Sequence, residues 1–486
     1  MSYDVDINKG KVTKSFFWKM SERFMSQGVS LLVQIVLARI LLPEHFGSLA
    51  IIVAITNYAN IFVQSGISTV IVQKQGLDKK DLSTLQSFSL AVALFFYLVL
   101  FFAAPGVASY YNSHVLCSAL RVISIMLFLN AINAVQTGLL TRQMRFKKIF
   151  LRTMIAVPLA GIVGITMALN GFGLWALVAH TLVNALAVVV FMCFDRELRI
   201  SLGFSMQRFK PLFSFSGKVM LTGLISGGHD FIRTMIIGKR YSTEQLAYYD
   251  KGYTYSSMVT AVIRQSIGSV LLPAFSRQQD DVQSLKNMAR RSVRLASFIL
   301  IPVLVAVAMM AEPLVVLLLT DRWLASVPFL AIFCILRIPG PIISVDNQVY
   351  YALGRSELNL YYEIGLFVIN VSVLLFTVQI SVMAIAIGAL IVEFLGLLVI
   401  FFISSKIYGY TIGQRISDIW KPVVSAVVMS FCIYAVSLIG LSYWLTLALQ
   451  IIVAMTVYGI MSYLTKDDSL DYCLNMMRVT IIKKYY

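Results

Sequence analysis

Charged and amide side chains occur inside long apolar segments of this sequence, where they are costly unless they meet water, a partner or a ligand. In the segment 15–40 they recur at steps of three and four, which places them on one face of a helix. The members of this stripe are Lys19, Glu22, Arg23, Ser26, Gln27, Ser30 and Gln34. The spacing predicts a helix face that is turned away from lipid.

A second apolar segment, 212–237, carries a similar stripe: Lys218, Thr222, Ser226, His229, Asp230 and Arg233. Two neighbouring segments add further polar residues, which are Asn57, Asn60, Gln64, Thr260 and Arg264. We expect the four helices that carry these residues to line one hydrophilic cleft.

Lysine and arginine in such a cleft suit an anionic ligand, because ammonium and guanidinium groups can replace the water that a phosphate loses on entry. The candidate binding residues are the cations Lys19, Arg23, Lys218, Arg233 and Arg264, with Gln27, Asn60 and Gln64 as hydrogen-bonding neighbours. Two alternatives stay open. The adjacent opposite charges could form local ion pairs, and Lys19 could extend to the lipid headgroups.

Buried carboxylates in transporters often carry protons or Na⁺. The candidates for such coupling are Glu22, His229, Asp230, Asp346, Glu363 and Glu393. Asp346 and Glu363 flank a short predicted turn, so a structural role for this pair is the alternative. We expect no cofactor and no metal site, and we expect a proton or Na⁺ gradient to supply the energy.

The composition defines the elements that must position these residues. The chain has 59% hydrophobic and 13% charged residues and a mean hydropathy of +0.82, values typical of a membrane protein. We predict an all-α polytopic membrane protein with about fourteen transmembrane helices. The predicted spans are 15–40, 47–72, 83–104, 116–140, 153–169, 174–194, 212–237, 254–273, 295–319, 328–352, 358–377, 382–403, 423–441 and 443–464. Pro339 and Pro341 predict a break in the tenth.

The basic residues predict the orientation. Of 40 Lys and Arg, 28 lie in the two tails and in the alternate loops that begin at 73, 141, 195, 274, 353 and 404. The opposite loops hold only Lys239, Arg240, Lys251 and Arg322. Because cytoplasmic loops carry the excess of Lys and Arg, both termini are predicted to be cytoplasmic. The positive charge is therefore a topology signal, and we expect no binding of nucleic acid.

An internal repeat is visible at an offset of about 200 residues. The string PEHFG from Pro43 resembles TEQLA from Thr243, and QSGIS from Gln64 resembles QSIGS from Gln265. The repeat predicts two pseudo-symmetric six-helix lobes plus two C-terminal helices. The predicted boundaries are a tail 1–14, an N-lobe 15–194, a linker 195–211, a C-lobe 212–403, a linker 404–422, the helix pair 423–464 and a tail 465–486.

Short loops leave no room for a soluble catalytic domain, and the chain contains no P-loop, H-E-x-x-H or G-x-S-x-G motif. These observations argue against an enzyme. A membrane-embedded polymerase or glycosyltransferase is also disfavoured, because such enzymes usually need a sizeable outer loop or a cytosolic domain.

Several strings resemble the polysaccharide transport (Wzx-like) branch of the multidrug/oligosaccharidyl-lipid/polysaccharide flippase superfamily, and most closely its colanic-acid-type exopolysaccharide members. The matching strings begin at Leu41, Leu139, Ile236, Leu271, Glu312 and Gly354, and they read LLPEHFGSLA, LLTRQMRFKKI, IIGKRYSTEQLAYYDKG, LLPAFSRQQDD, EPLVVLLLTDRWLASVPFLAI and GRSELNLYYEI. They occur in order over about residues 15 to 405.

The resemblance implies a flippase of the bacterial inner membrane that works by alternating access and is driven by an ion gradient. The implied substrate is an undecaprenyl-pyrophosphate-linked oligosaccharide repeat unit for exopolysaccharide or lipopolysaccharide biosynthesis. Membrane lipid and a polysaccharide polymerase or export machinery are the implied partners. A multidrug or metabolite antiporter of the same fold is the alternative.

Overall fold

The computed structural model describes the backbone of residues 9–74, 76–195, 198, 201–278 and 281–472. Side chains are described throughout these ranges except at 9–17, 19–20, 23–24, 214–216, 218–219, 262–270 and 273.

The described chain is built from helices, and each predicted span falls on one helix or on two consecutive helices. The bounds are α1 Lys9–Ile40, α2 Pro43–Gln64, α3 Ile67–Gln73, α4 Lys79–Tyr110, α5 His114–Ile123, α6 Met126–Arg142, α7 Phe146–Leu169, α8 Leu174–Cys193, α9 Met206–Arg240, α10 Thr243–Ser276, α11 Val282–Met309, α12 Ala311–Leu319, α13 Val327–Leu336, α14 Pro339–Ala352, α15 Ser356–Thr377, α16 Val382–Tyr408, α17 Ile412–Ser437 and α18 Tyr443–Leu464. A short 3-10 segment, Asp321–Ser326, precedes α13.

Among the described residues, eleven helical segments are long and apolar enough to cross a membrane, judged by length and composition. The prediction of an all-α, multi-pass membrane protein is therefore confirmed. The two long helices α9 and α10 are not among these segments, and parts of both have side chains outside the described residues. The count of fourteen spans and the cytoplasmic position of both termini stay predictions.

Helix ends are set by local chemistry. Asp78 and Asp81 form a capping box at the start of α4, in which each carboxylate accepts a backbone N–H that the helix leaves unbonded. Thr411 and Gln414 do the same at the start of α17. At the other end of the preceding loop, Gly409 closes α16 with a φ of 70°, a conformation that favours glycine.

Four predicted spans, 47–72, 116–140, 295–319 and 328–352, each fall on two consecutive helices. The predicted break in the tenth span is confirmed, because α13 ends at Leu336 and α14 begins at Pro339. The second span breaks where Ser65 and Gly66 adopt positive φ values of 40° and 65°. The repeat-related string at Gln265 lies within the continuous helix α10, so this pair of strings does not share a backbone conformation.

The second predicted linker differs from the structure. Most of 404–422 is helical, because α16 continues to Tyr408 and α17 begins at Ile412. The polar residues of this region made it resemble a loop, but two of them, Arg415 and Asp418, are buried within the fold. In the first linker, α9 likewise begins at Met206, before the predicted span at 212.

The chain divides into two compact units, one ending at Ala247 and the other beginning at Tyr248. The core of the first includes buried residues of α2, α5 and α8, such as Ile52, Leu120 and Val178. The core of the second includes Val293, Val345 and Ile400, from α11, α14 and α16. This division by packing is not the division by repeat, because α9 opens the second repeat but belongs to the first unit.

A close approach of two backbones accounts for one glycine in the repeated strings. A Cβ at Gly47, in the first turn of α2, would lie 1.7 Å from the carbonyl oxygen of Thr243, the first residue of α10. The two helix starts that the repeat relates by 200 residues therefore touch, and only glycine allows the contact.

Candidate functional site

Helices α2 and α9 pack against each other through small residues of α9. A side chain added at Gly238 would meet Ile51 of α2, and one added at Gly227 or Gly223 would meet Ile61. The contacts advance along α2 while they run backwards along α9, so the two helices are antiparallel.

Two further contacts extend this packing interface between α2 and α9, which we call the seam. The rings of Tyr58 and Phe231 stack with centroids 4.6 Å apart and an interplanar angle of 12°. Near the end of α2, the Ser65 hydroxyl contacts the Met220 sulfur at 3.6 Å. The seam therefore runs along most of α2 and holds α9 in one rotational position.

Polar residues precede the seam residues by one position on both helices. Asn57, Asn60 and Gln64 precede Tyr58, Ile61 and Ser65, and Thr222, Ser226 and Asp230 precede Gly223, Gly227 and Phe231. In two antiparallel right-handed helices, a shift of one residue towards the N-terminus rotates both side chains to the same side of the seam. These six residues, which we name the polar strip, therefore share one surface of the first unit.

The polar strip is accessible in the whole described chain. Asn57, Gln64, Thr222 and Ser226 are exposed, and the Asp230 side chain is 49% exposed. Asn60 is half-buried, and its Oδ1 is buried without a hydrogen bond from any described residue. The strip therefore offers accessible hydrogen-bonding groups along one side of this helix pair.

The predicted cation Arg233 lies beside the strip and is paired. Its Nη1 is 2.9 Å from Oδ1 of Asp230, and its side chain is only 7% exposed. His229 Nδ1 is 3.7 Å from the same carboxylate oxygen. The structure thus brings three predicted residues together in one charged cluster, as the local-pair alternative anticipates, and Asp230 is its most exposed member.

The remaining binding predictions cannot all be placed. The side chains of Lys19, Arg23, Lys218 and Arg264 lie outside the described residues. Gln27 is exposed on α1. A role for these residues in one cationic cleft stays a prediction.

Glu22 belongs to a polar cluster inside the first unit. Its Oε1 accepts a long hydrogen bond of 3.5 Å from the Thr153 hydroxyl of α7. The neighbouring Arg152 is buried, is electrostatically coupled to Glu22, and donates to Asn133 Oδ1 at 2.8 Å and to Thr137 Oγ1 at 3.1 Å. The cluster joins α1, α6 and α7 through one carboxylate and one guanidinium.

Arg152 is a functional candidate that the sequence analysis missed. It was assigned to the loop that begins at 141, because the predicted span began at 153. The structure starts α7 at Phe146 and buries Arg152 to 7% exposure, with its Nε lacking any hydrogen-bond acceptor among the described residues. Glu22 inside the first predicted span was the available signal, since a carboxylate at depth requires a cation nearby.

In the second unit, Asp346 of α14 is fully buried in an ion pair with Arg415 of α17. Arg415 donates from Nη2 to Oδ1 at 2.6 Å and from Nη1 to Oδ2 at 2.9 Å, and neither side chain is exposed. The hydroxyls of Ser404, at 2.9 Å, and Tyr408 also donate to Asp346 Oδ1. Four donors to one carboxylate indicate an anchoring role for Asp346. Its predicted coupling role stays a prediction.

A second ion cluster lies one turn further along α17. Asp418 accepts from Arg290 of α11 at 2.7 and 2.8 Å, and Arg294 is 3.3 Å from it. The Tyr410 hydroxyl donates to Asp418 at 2.8 Å. Burial, reinforced by this carboxylate, raises the pKa of Tyr410, so the tyrosine stays a neutral donor.

Glu363 and Glu393 are half-buried on α15 and α16, and both act electrostatically on Tyr362. The Tyr362 ring lies against Gly396, where a Cβ would come within 2.8 Å of the hydroxyl oxygen. Within the described ranges, no three His, Cys, Asp or Glu side chains are grouped closely enough to hold a metal ion. A coupling role for the two glutamates stays a prediction.

The sequence of this chain is similar to those of known proteins. The family model described as "Polysaccharide biosynthesis protein" matches residues 36–328. The succinoglycan biosynthesis transport protein ExoT of Rhizobium meliloti (strain 1021) is 24% identical over 352 residues, which are 72% of this chain and 71% of that protein. The match to the family model covers more than half of the chain.

Two solved structures show the fold. The lipid II flippase MurJ in an inward closed conformation has a TM-score of 0.75 at 15% identity, with 93% of this chain and 99% of that chain covered. An inward-facing multidrug resistance MATE family transporter of the MOP superfamily has a TM-score of 0.62 at 17% identity, with 83% and 98% covered. The predicted fold class is that of both structures.

The Asp346–Arg415 pair makes a stability prediction. We expect Asp346→Ala to lower the free energy of unfolding by about 3–5 kcal/mol, because it leaves the Arg415 charge buried without its partner. The double variant Asp346→Leu/Arg415→Met should melt closer to the wild type, since it removes both charges and keeps apolar volume. Thermal unfolding of the purified protein in detergent measures both effects.

The matched control is Glu357→Ala, which breaks an exposed ion pair with Arg355 at 3.8 Å and should cost about 0–1 kcal/mol. An Asp346→Ala variant as stable as this control would contradict the anchoring role. Polysaccharide export by the folded double variant separates the two roles, because a coupling residue cannot be replaced by leucine without loss of transport.

Proposed function

This chain belongs to the polysaccharide biosynthesis protein family, and from this premise we propose that it is a flippase for lipid-linked oligosaccharide. The proposed substrate is an undecaprenyl-pyrophosphate-linked repeat unit, which moves from the cytoplasmic to the outer leaflet of the bacterial inner membrane without covalent change. The name of the succinoglycan transport relative and the fold shared with a lipid II flippase support this proposal.

The observation that carries the proposal is the accessible polar strip on membrane helices α2 and α9. A purely structural membrane domain has no reason to keep amides and hydroxyls unburied along apolar helices, because each is costly in lipid. A transporter for a polar headgroup needs such a surface, since it must replace the water that the headgroup loses.

We assign the diphosphate to the predicted cations. Lys19, Arg23, Lys218, Arg233 and Arg264 lie on helices α1, α9 and α10, and charge-assisted hydrogen bonds to phosphate are among the strong ones. In this scheme the Asp230–Arg233 pair is the resting state of Arg233, and the diphosphate competes with Asp230 for the guanidinium. The lipid tail stays in the bilayer.

We propose that an ion gradient drives the cycle and that Glu22 is the group that responds to it. Protonation of Glu22 would remove the negative charge that faces Arg152, and so weaken the link between α1 and α7. His229 beside Asp230 is a second titratable group of the same unit. Asp346 is the weakest coupling candidate, because a proton would have to displace Arg415.

A multidrug or metabolite antiporter is the alternative, and the shared fold with a MATE transporter does not separate the two. The predicted cations favour the flippase, because a cleft lined by Lys and Arg would repel organic cations. Association with a polysaccharide polymerase and a colanic-acid-type glycan are further proposals that rest on the family.

The flippase proposal predicts the phenotype of Arg233→Gln. Because one charge-assisted hydrogen bond contributes about 1.5–3 kcal/mol, transport should fall by roughly 10- to 100-fold while the protein remains in the membrane. The measurement is the surface polysaccharide of a deletion strain complemented with each variant, together with the lipid-linked oligosaccharide that accumulates in its inner membrane.

Arg121→Gln is the matched control, because Arg121 donates to the Phe101 carbonyl at 3.1 Å and lies 4.2 Å from its ring centroid, so its role is structural. Normal polysaccharide in the Arg233→Gln strain would reject the site assignment. A deletion strain with normal polysaccharide and no accumulated intermediate would reject the function.

The coupling proposal predicts that Glu22→Gln transports at a rate that no longer depends on an imposed pH gradient, because its side chain cannot release a proton. Proteoliposomes loaded with the accumulated lipid-linked oligosaccharide, under proton and Na⁺ gradients applied separately, measure this dependence. Glu357→Gln on the exposed pair serves as the carboxylate control. A Glu22→Gln variant that keeps the full response to the pH gradient would assign coupling elsewhere.

A further inference from the structure

We infer that the polar strip on α2 and α9 is a sugar-recognition subsite, separate from the cations that bind the diphosphate. The inference rests on the proposed function and deepens it, because it assigns the two chemical parts of the headgroup to different side chains. It starts from the accessibility of the strip, from its chemistry and from the fixed geometry of the seam beneath it.

The side chains of the strip are accessible, so they are not buried by the packing of the helices. Thr56 and Val63 on the same helix are buried, whereas Asn57 and Gln64 beside them are exposed in the whole described chain. Exposed amides on a helix that crosses a membrane must face water or a polar ligand, because lipid would leave their donors and acceptors unpaired. The strip therefore borders a hydrated space.

The groups of the strip are suited to neutral hydroxyls rather than to phosphate. Each amide offers two donors and one acceptor, and each hydroxyl offers one donor and two acceptor positions. Asp230 is an acceptor only, so it attracts hydroxyl donors and repels a diphosphate. Sugar hydroxyls both donate and accept, and this mixture is what they require.

Two oxygen atoms of the strip can still accept hydrogen bonds. Asn60 Oδ1 is buried and receives no hydrogen bond from the described residues. Ser226 donates its proton to the carbonyls of Thr222 at 3.1 Å and Gly223 at 3.3 Å, which leaves its oxygen as an acceptor. A bound hydroxyl could satisfy both acceptors at once.

The seam fixes these groups in space. The stacked Tyr58–Phe231 pair and the glycine contacts hold α2 and α9 at one separation and one rotation. Asn57 to Gln64 spans about 10 Å along α2 at 1.5 Å per residue, so the strip can face more than one sugar ring. Pre-set donors and acceptors give specificity, because a sugar that lacks the matching hydroxyl leaves them unpaired.

The test compares two probes for binding to the purified full chain in lipid nanodiscs. One probe is undecaprenyl diphosphate without sugar, and the other is the lipid-linked oligosaccharide extracted from the deletion strain. The variants are Asn60→Ala and the double change Gln64→Ala/Ser226→Ala. Asn370→Ala is the matched amide control, because Asn370 donates to the Leu366 carbonyl of its own helix at 3.0 Å.

We expect the strip variants to bind the oligosaccharide-bearing lipid about 10-fold more weakly and undecaprenyl diphosphate with unchanged affinity, with Asn370→Ala unchanged on both. Equal losses on both probes would overturn the inference, because the strip would then act on the diphosphate or on folding. Unchanged binding of both probes would overturn it as well. Its failure is distinct from failure of the flippase proposal, in which the wild type would bind neither probe.

Thermal unfolding of the same samples shows whether a variant is folded. Gln64 and Ser226 are exposed and Asn60 is half-buried with an unpaired oxygen, so we expect their replacement by alanine to leave the melting temperature unchanged. Should Asn60→Ala unfold, Asn60→Leu keeps a similar side-chain volume and removes the acceptor and the donors without adding a charge, and its selective loss of the oligosaccharide probe tests the same inference.

Discussion

A polar side chain within the hydrocarbon of a bilayer must be given either a partner or water, and this constraint organises the whole protein. Asp346 and Arg415 take the first route, with bidentate hydrogen bonds and no exposed surface. The polar strip takes the second route, because Gln64 of α2 and Ser226 of α9 remain exposed. The two routes separate groups that hold the fold from groups that can act on a ligand.

The two units differ in how their buried charged side chains are paired. In the second unit, α17 carries Arg415 and Asp418, which pair with helices α14 and α11 and so fasten the last helix pair to the others. In the first unit, the buried Arg152 is held by neutral acceptors instead, because it donates to Asn133 and Thr137 and no carboxylate of the described residues accepts a hydrogen bond from it. Incomplete pairing is what a group needs if a proton or a ligand is to change its partner.

The sequence predicted the helices, the break at Pro339 and the polar faces of α2 and α9, because these depend on local hydropathy and on periodicity. It did not predict which candidates are paired across helices. Arg152 and Arg415 were both assigned to cytoplasmic loops, because a charge at the edge of an apolar segment shortens the predicted span. Arg415 pairs with Asp346, and Arg152 interacts electrostatically with Glu22. Both carboxylates lie far away in sequence, so only the packing reveals these interactions. The seam was hidden for the same reason, since it depends on Gly223 and Gly227 facing α2.

Water accessibility of the polar strip tests the central claim most directly. Cysteine is introduced as Gln64→Cys or Ser226→Cys in a chain whose five native cysteines are replaced, and its reaction with a charged, membrane-impermeant thiol reagent is measured. The control positions are the exposed apolar Val99 and the buried Ser297. The account predicts rapid labelling at 64 and 226 and little at 99 and 297. Labelling at 64 and 226 as slow as at 99 would place the strip against lipid and contradict the account.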